Sequence, residues 1–191
     1  MSLLKNLNLR RKLGHLGKAC HLGDGIRTKY GKLVWIGDKV TIGDKALLYA
    51  HPEDKRRTEP IITIGSGSHL SEFNYLSARS GITIGTNVLF SAHVLVIDHS
   101  HAFTDIHTPI MHQPVDSIKP VTIGDGSWIG MHAAILPGAK IGRNCVIGVG
   151  SVVNTVIPDY CVAVGSPARI VKHFDPATGA WVKGAPSDTK A

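Results

Sequence analysis

The sequence predicts an all-β chain wound as a parallel β-helix, and two observations carry this fold class. An aliphatic residue followed by glycine recurs along the chain, and most copies lie six residues, or a multiple of six, apart. Only 6% of the residues are aromatic although 43% are hydrophobic, which suits a core of stacked aliphatic side chains. A fixed short period is typical of hexapeptide solenoids, whereas amphipathic helices repeat at three and four residues and single strands at two.

The predicted repeat places six residues on each side of a triangular coil, so that three sides complete one turn. One aliphatic side chain per side points inward, and neighbouring coils stack these residues on each other. The complete coils predicted in this way contain Ile64, Leu70 and Leu76; Ile84, Phe90 and Val96; Ile123, Ile129 and Ile135; and Ile141, Ile147 and Val153. The phase slips by two residues at Ile82, because Ile84 and not Ile82 begins the next Ile-Gly copy.

The repeat also predicts how the chain is organised. Residues 1–30 form a basic N-terminal segment whose Leu-Gly copies, Leu16-Gly17 and Leu22-Gly23, are consistent with first coils. Residues 31–172 form the β-helix domain, and residues 173–191 a C-terminal tail. The pattern stops after Val96 and resumes at Ile123, so we expect residues 99–120 to form an extruded loop, on the side where such solenoids often bind ligands.

Composition restricts the partners. The formal charge is +7, which favours anions such as phosphorylated small molecules or an anionic membrane surface. No nucleic-acid-binding motif is present, so we expect no nucleic acid partner. No apolar run approaches the roughly 18 residues of a membrane span, and the first residues lack the apolar region of a signal peptide. We therefore expect a cytoplasmic protein, with peripheral contact to an anionic membrane left open.

The densest group of chemically active residues lies where the repeat breaks into the loop. Asp98, His99, His101 and Asp105 fall within eight residues. A neutral imidazole accepts a proton from a hydroxyl near pH 7, and a carboxylate on its other nitrogen sets the tautomer. The alternative is an ordinary polar surface loop. The further histidines 93, 107 and 112 match no closed zinc site, so we expect no metal.

A second group follows the last coil. Gly165-Ser166-Pro167-Ala168 predicts a turn, after which Arg169 and Lys172 lie three residues apart. If this segment forms the short C-terminal helix that we predict, both cations share one face and suit a terminal phosphate group.

These motifs resemble those of the hexapeptide-repeat acyltransferases, in particular the branch of galactoside, maltose and nodulation O-acetyltransferases and the lipopolysaccharide or capsule O-acetyltransferases. The resemblance covers about residues 32–172 and is most specific over residues 120–130 and 135–142. It implies a left-handed coil, a homotrimer with active sites between subunits, and acetyl-CoA as the donor. It also implies that a histidine at the root of the loop is the general base, namely His99, with His101 as second choice.

The resemblance further implies which residues bind the two substrates. The coenzyme contacts correspond to residues near the C-terminal coils: Met131, Val149, Asn154, Thr155, Arg169 and Lys172. The acceptor contacts correspond to either Ser71 or Asn74 in the coil before the loop, and to Asp98 and His101 at the loop root, unless the acceptor binds differently. The residues Asp98-His99-Ser100-His101 are nearest to cell-surface polysaccharide modifiers, which favours a sugar or glycolipid acceptor in surface-glycan assembly.

The leading hypothesis is therefore transfer of an acetyl group from acetyl-CoA to a sugar hydroxyl. Three alternatives stay open: an N-acetyltransferase acting on an amino sugar, a metal-dependent hydratase of the γ-carbonic anhydrase type, and a scaffold without catalytic activity.

Overall fold

The computed structural model describes residues 8–186 and shows the predicted parallel β-helix. Its three sides are parallel sheets, here called A, B and C, and each coil contributes one short strand to each in turn. Helical residues 8–12 precede the first coil, which begins at His15. Two short 3-10 helices, Gly31–Leu33 and Ile110–His112, lie between coils.

The strands stack in chain order on each side. Sheet A contains β1 (His15–Leu16), β4 (Val34–Ile36), β7 (Ile62–Ile64), β10 (Ile82–Ile84), β15 (Val121–Ile123), β18 (Lys140–Ile141) and β21 (Val156–Ile157). Sheet B contains β2 (His21–Leu22), β5 (Thr41–Ile42), β8 (His69–Leu70), β11 (Leu89–Phe90), β16 (Trp128–Ile129), β19 (Val146–Ile147), β22 (Cys161–Val164), β23 (Arg169–Asp175) and β24 (Ala180–Lys183). Sheet C contains β3 (Arg27–Lys29), β6 (Leu47–Ala50), β9 (Tyr75–Ala78), β12 (Leu95–Ile97), β17 (Ala134–Ile135) and β20 (Val152–Val153).

The predicted inward residues form the core in register. On sheet A, Ile64 pairs with Ile84 and Ile84 with Ile123. On sheet C, Leu76 pairs with Val96, which in turn pairs with Ile135. All of these side chains are buried. The coil assignment made from the six-residue period is confirmed, because each inward residue packs on its equivalents one coil above and below.

The corners between sides depend on a left-handed backbone residue. At the corner between sheets A and B, every described coil has one: Ala19, Lys39, Gly67, Asn87, Gly126, Asn144 and Tyr160. At the corner between sheets B and C, Lys45, Phe73, His93 and His132 have the same conformation. Their side chains form a column on the surface, in which the rings of Phe73 and His93 stack at 4.8 Å and those of His93 and His132 at 5.0 Å.

Both long insertions leave the β-helix at the same corner, where the chain passes from sheet C to sheet A. Residues 51–61 follow β6, and the extruded loop lies between Ile97 and Val121. A two-stranded antiparallel ladder of β13 (Ser100–His101) and β14 (Val115–Asp116) closes the base of the extruded loop. Four large apolar side chains of this loop are exposed to solvent: Phe103, Ile106, Ile110 and Met111.

The predicted short C-terminal helix is wrong, because Arg169–Asp175 forms strand β23 and pairs antiparallel with β22. The edge of β22 is the last open edge of sheet B, and β23 and β24 cover it, which removes unpaired backbone groups. A bulge places Lys172 opposite Val162 and Arg169 opposite Val164. Since opposed residues share a face, both cations still point outward together, although the element is a strand.

Candidate active site

The site at the root of the extruded loop is built on the carboxylate of Asp98, which is fully buried. The carboxylate accepts hydrogen bonds from three successive backbone amides: Arg79 at 2.8 Å, Ser80 at 2.7 Å and Gly81 at 2.7 Å. The Ser80 hydroxyl donates a further bond at 2.9 Å. Residues 79–81 are the turn that produces the phase slip in the repeat, so Asp98 holds the irregular connection between β9 and β10.

His99 is oriented by the same carboxylate. Its Nδ1 lies 2.8 Å from Oδ1 of Asp98, and its side chain is 17% exposed. An ionised carboxylate only accepts hydrogen bonds, and its other partners here are all donors, so Nδ1 of His99 carries the proton. In the neutral form of this ring, Nε2 is then the nitrogen that accepts a proton. This is the arrangement that a general base requires.

His51 also lies at this site, although it is not among the residues predicted from the sequence. The rings of His51 and His99 meet edge to face with centroids 5.9 Å apart. Burial, followed by the positive charge of Lys29, lowers the pKa of His51 below its usual value, so this ring is neutral at pH 7. A signal was available: His51, Arg79 and His99 each follow the inward residue of sheet C by three positions, in three successive coils.

Arg79 lies between His51 and His99 in the stack of coils, and one atom of its side chain lacks a hydrogen-bond partner within the described residues. Its backbone amide binds Asp98, whereas its buried Nε has no hydrogen-bond partner among residues 8–186. A buried donor without a partner is costly, so this atom is a candidate contact for a polar group of a bound ligand.

The predicted acceptor residues do not all reach the site. Asn74 is fully buried, and its amide donates to the carbonyl of Ser71 at 2.7 Å and accepts from the amide of Val94 at 2.8 Å. It therefore stabilises a corner of the coil, as Ser68 and Ser127 do at equivalent positions. Asp98 is also inaccessible, because its carboxylate is buried beneath His99.

Ser71 and His101 are the more accessible members of the predicted acceptor set. Ser71 is half-buried just after β8, and its amide donates to the carbonyl of Phe90 in the next coil. His101 lies on β13, exposed, opposite Val115 at the neck of the loop.

The predicted coenzyme residues fall on two separate edges of sheet C. Met131 and Val149 are exposed at the corner between sheets B and C, one coil apart, where the amide of Gly150 donates to the carbonyl of Met131. Arg169 lies close to this corner, opposite Val164 in the next coil. Asn154 and Thr155 lie at the other corner, between β20 and β21, and His99 lies on that same edge two coils earlier.

Other chemistries have little support within the part of the chain that the structure describes. No three His, Cys, Asp or Glu side chains of residues 8–186 are grouped as ligands of a metal ion, so the hydratase alternative has no candidate ligand set there. Burial raises the pKa of the Cys145 thiol and, together with Cys145, raises that of Cys161 to about 11. Both thiols are therefore protonated and poor nucleophiles at pH 7. No helix in these residues is long and apolar enough to span a bilayer.

Sequence comparison finds similarity to hexapeptide-repeat transferases and to acetyltransferases. Residues 120–155 match the family model described as bacterial transferase hexapeptide (six repeats). A probable acetyltransferase of Mycobacterium tuberculosis is 38% identical over 143 residues, which are 75% of this chain but only 43% of that protein. A putative lipopolysaccharide biosynthesis O-acetyltransferase of Escherichia coli is 30% identical, over 64% of this chain and 66% of its own. Galactoside O-acetyltransferase of Escherichia coli is 31% identical over 160 residues, with 69% of this chain and 77% of that protein covered.

Solved structures agree on the fold. A maltose O-acetyltransferase from Clostridium difficile has a TM-score of 0.61 at 28% identity, covering 90% of this chain and 75% of its own. A hexapeptide-repeat acetyltransferase from Vibrio cholerae, complexed with acetyl coenzyme A, has a TM-score of 0.58 at 25% identity, with 92% and 79% covered. The N-acyltransferase AntD from Bacillus cereus has a TM-score of 0.74 at 22% identity, with 92% and 90% covered. The neighbours imply the left-handed winding of the coil.

Proposed function

The chain belongs to the hexapeptide-repeat transferase family, and from this premise we propose that it transfers an acetyl group from acetyl-CoA to a hydroxyl of a sugar or surface-glycan precursor. One observation carries the proposal: a buried carboxylate, Asp98, holds the imidazole of His99 with Nε2 free to accept a proton. The putative lipopolysaccharide biosynthesis O-acetyltransferase and the galactoside enzyme among the relatives support a sugar acceptor.

In the proposed reaction, Nε2 of His99 removes the proton of the acceptor hydroxyl as its oxygen attacks the thioester carbonyl. Asp98 stabilises the imidazolium that forms, because the carboxylate is already oriented by five donor groups and needs no rearrangement. The proton then passes to the sulfur of the departing coenzyme, so the products are the acetyl ester and free CoA. We assign His101 and the Nε of Arg79, which has no partner among residues 8–186, to the acceptor side in place of Asn74. Ser71 follows β8 at the corner between sheets B and C, on the edge opposite His99, so it can join an acceptor site only from a neighbouring subunit.

We further propose a homotrimer in which two subunits complete each site. His99 follows β12 on one edge of sheet C, whereas Met131 and Val149 lie near the opposite edge. The six residue steps from His93 to His99 across one strand span on the order of 20 Å, which is too far for one chain to present both groups to one thioester. The exposed apolar side chains of the extruded loop, among them Ile106 and Met111, support this assembly because contact with a second copy would cover them.

The proposal is tested by following free-thiol release from acetyl-CoA over a panel of sugars and amino sugars. We expect His99→Ala to lower kcat by roughly 10²-fold or more with the best acceptor, since general-base catalysis contributes about that much. His101→Ala is the matched control, with the smaller effect expected. Unchanged turnover in His99→Ala would remove this residue from the role of base.

An amino-sugar acceptor is the second candidate, because an amine needs the same base and the N-acyltransferase AntD shares the fold. The product distinguishes the two reactions: once residual acetyl-CoA has been removed, an oxygen ester is cleaved by alkaline hydroxylamine, whereas an amide survives it. Thiol release only with amino sugars, with a hydroxylamine-resistant product, would overturn the O-acetyl assignment.

A further inference from the structure

The positive charge of the chain is concentrated near its N-terminal end. Residues 1–57 contain thirteen Lys or Arg and five Asp or Glu, whereas residues 58–191 contain eight and nine. The net charge of +7 therefore arises within the first third of the sequence. The proposed reaction at His99 uses little of it, so this charge calls for a separate explanation.

The fold gathers part of this charge around one cavity of 570 Å³. The lining comes from three segments that are distant in sequence: helical residues 8–12, the connection around the first 3-10 helix, and the insertion after β6. Five of the lining residues are cationic and none is acidic: Arg11, Lys12, Lys32, Lys55 and Arg57. The hydroxyl-bearing residues Thr28 and Tyr30 line the same space.

Backbone carbonyl groups hold two of these cations in place. Nζ of Lys32 donates to the carbonyls of Arg11 at 3.0 Å and Leu13 at 3.4 Å. Arg57 donates from Nε to the carbonyl of Glu59 and from Nη2 to that of Pro60, both at 3.1 Å. Because the partners are neutral carbonyls, both side chains keep their full positive charge at the cavity.

The remaining cations are left for a ligand. Within the described residues, the side chains of Arg11, Lys12 and Lys55 are exposed and form no ion pair. In the same insertion, Arg56 pairs with Asp54, and the two other acidic residues, Glu53 and Glu59, do not line the cavity. Like charges in one concavity repel each other, and an anion that bridges them relieves this repulsion.

We propose that this cavity binds a phosphate-bearing ligand. Phosphate suits the site because its oxygens accept several bonds at once, and ammonium, guanidinium and hydroxyl donors all line the cavity. None of the residues around His99 lines the cavity, so the inference does not depend on the proposed transfer reaction. The same chemistry is offered by a soluble phosphorylated compound and by a phospholipid headgroup.

The test uses the full chain with two probes. Inorganic pyrophosphate is titrated calorimetrically at low salt, and vesicles of phosphatidylglycerol and phosphatidylcholine are compared with pure phosphatidylcholine by co-sedimentation. The variant Lys12→Gln/Lys55→Gln removes two free cations of the cavity. The matched control Lys18→Gln/Lys39→Gln removes the same charge at the corner between sheets A and B, outside the cavity.

We expect the cavity variant to weaken binding by about tenfold at low salt and by less at high salt, because two exposed cation contacts are lost and added salt screens such contacts. The control variant is expected to change binding less than twofold. If the cavity variant binds pyrophosphate more weakly than the parent protein but binds anionic vesicles equally well, the ligand is a soluble phosphate compound. If its binding to anionic vesicles is weakened, the ligand is a lipid phosphate. Absence of binding to both probes, or equal weakening in the two variants, overturns the proposal.

Discussion

Replacing Asp98 by Asn tests how the site is built, because the two side chains have nearly the same shape. The carboxylate accepts from five donor groups: three backbone amides, the Ser80 hydroxyl and Nδ1 of His99. An asparagine has only one acceptor oxygen. If this oxygen keeps the bonds from Ser80 and Gly81, the NH2 group of the asparagine must face the backbone amide of Arg79 and Nδ1 of His99. That orientation places two donors against two donors.

Two effects follow from this reversal. Hydrogen bonds to a charged group contribute about 1.5–3 kcal/mol each and neutral ones about 1 kcal/mol, so we expect a loss of about 2–4 kcal/mol in the free energy of unfolding. The asparagine also favours the tautomer of His99 that carries its proton on Nε2. That ring cannot act as the base, and kcat should fall by about 10²- to 10⁴-fold.

The assay combines urea unfolding, followed by circular dichroism, with thiol release from acetyl-CoA. Ser80→Ala is the matched control, since it removes one donor at 2.9 Å and leaves the ring contact intact. We expect it to cost about 1.5–3 kcal/mol of stability, since the lost bond is to a charged group, and to change kcat less than twofold. A folded Asp98→Asn variant that keeps kcat within threefold of the parent would refute the assignment of Asp98 as the residue that orients His99.

Three further predictions concern the rest of the molecule. Replacing Arg169 and Lys172 together by Ala should weaken CoA binding, measured by isothermal titration, and the loss should be larger at low salt than at high salt. A variant that binds CoA as tightly as the parent protein at both salt concentrations would refute the phosphate contact. Because the pKa of His51 is lowered in the folded state, the unfolded chain binds more protons than the folded chain as the pH falls through 6.5. The free energy of unfolding, measured in urea, should therefore fall from pH 7.5 to 5.5, and by less in His51→Gln. The same pH dependence in the variant and the parent protein would contradict this. Replacing the buried Ile147 by Ala should lower the free energy of unfolding in urea by about 2–5 kcal/mol, whereas replacing the exposed Val149 by Ala should lower it by less than about 0.5 kcal/mol. Similar losses in the two variants would argue against the assigned inward and outward positions.

The sequence was sufficient where structure depends on neighbouring coils. The period of six predicts the inward residues, the coils from Ile64 to Val153 and the extruded loop, because each coil packs only on the next. The phase slip at Ile82 indicated an irregular turn, and the break of the repeat after Val96 indicated that Asp98 and His99 lie at the root of a loop. The structural role of Asn74 was not predicted, although it lies six residues after Ser68 and shares that residue's buried corner position in the repeat.

The amino-acid pattern alone thus predicts a solenoid with an imidazole at the root of its loop. Which distant segments meet is visible only in the folded chain: residues 79–81 bind Asp98, His51 contacts His99, and the basic insertion after β6 lies beside helical residues 8–12. The same holds for the strand Arg169–Asp175, which forms because the open edge of β22 needed a partner. The difference arises from distance along the chain. Stacking of successive repeats is a local rule that a periodic sequence records, whereas contacts between insertions depend on where the whole coil places their ends.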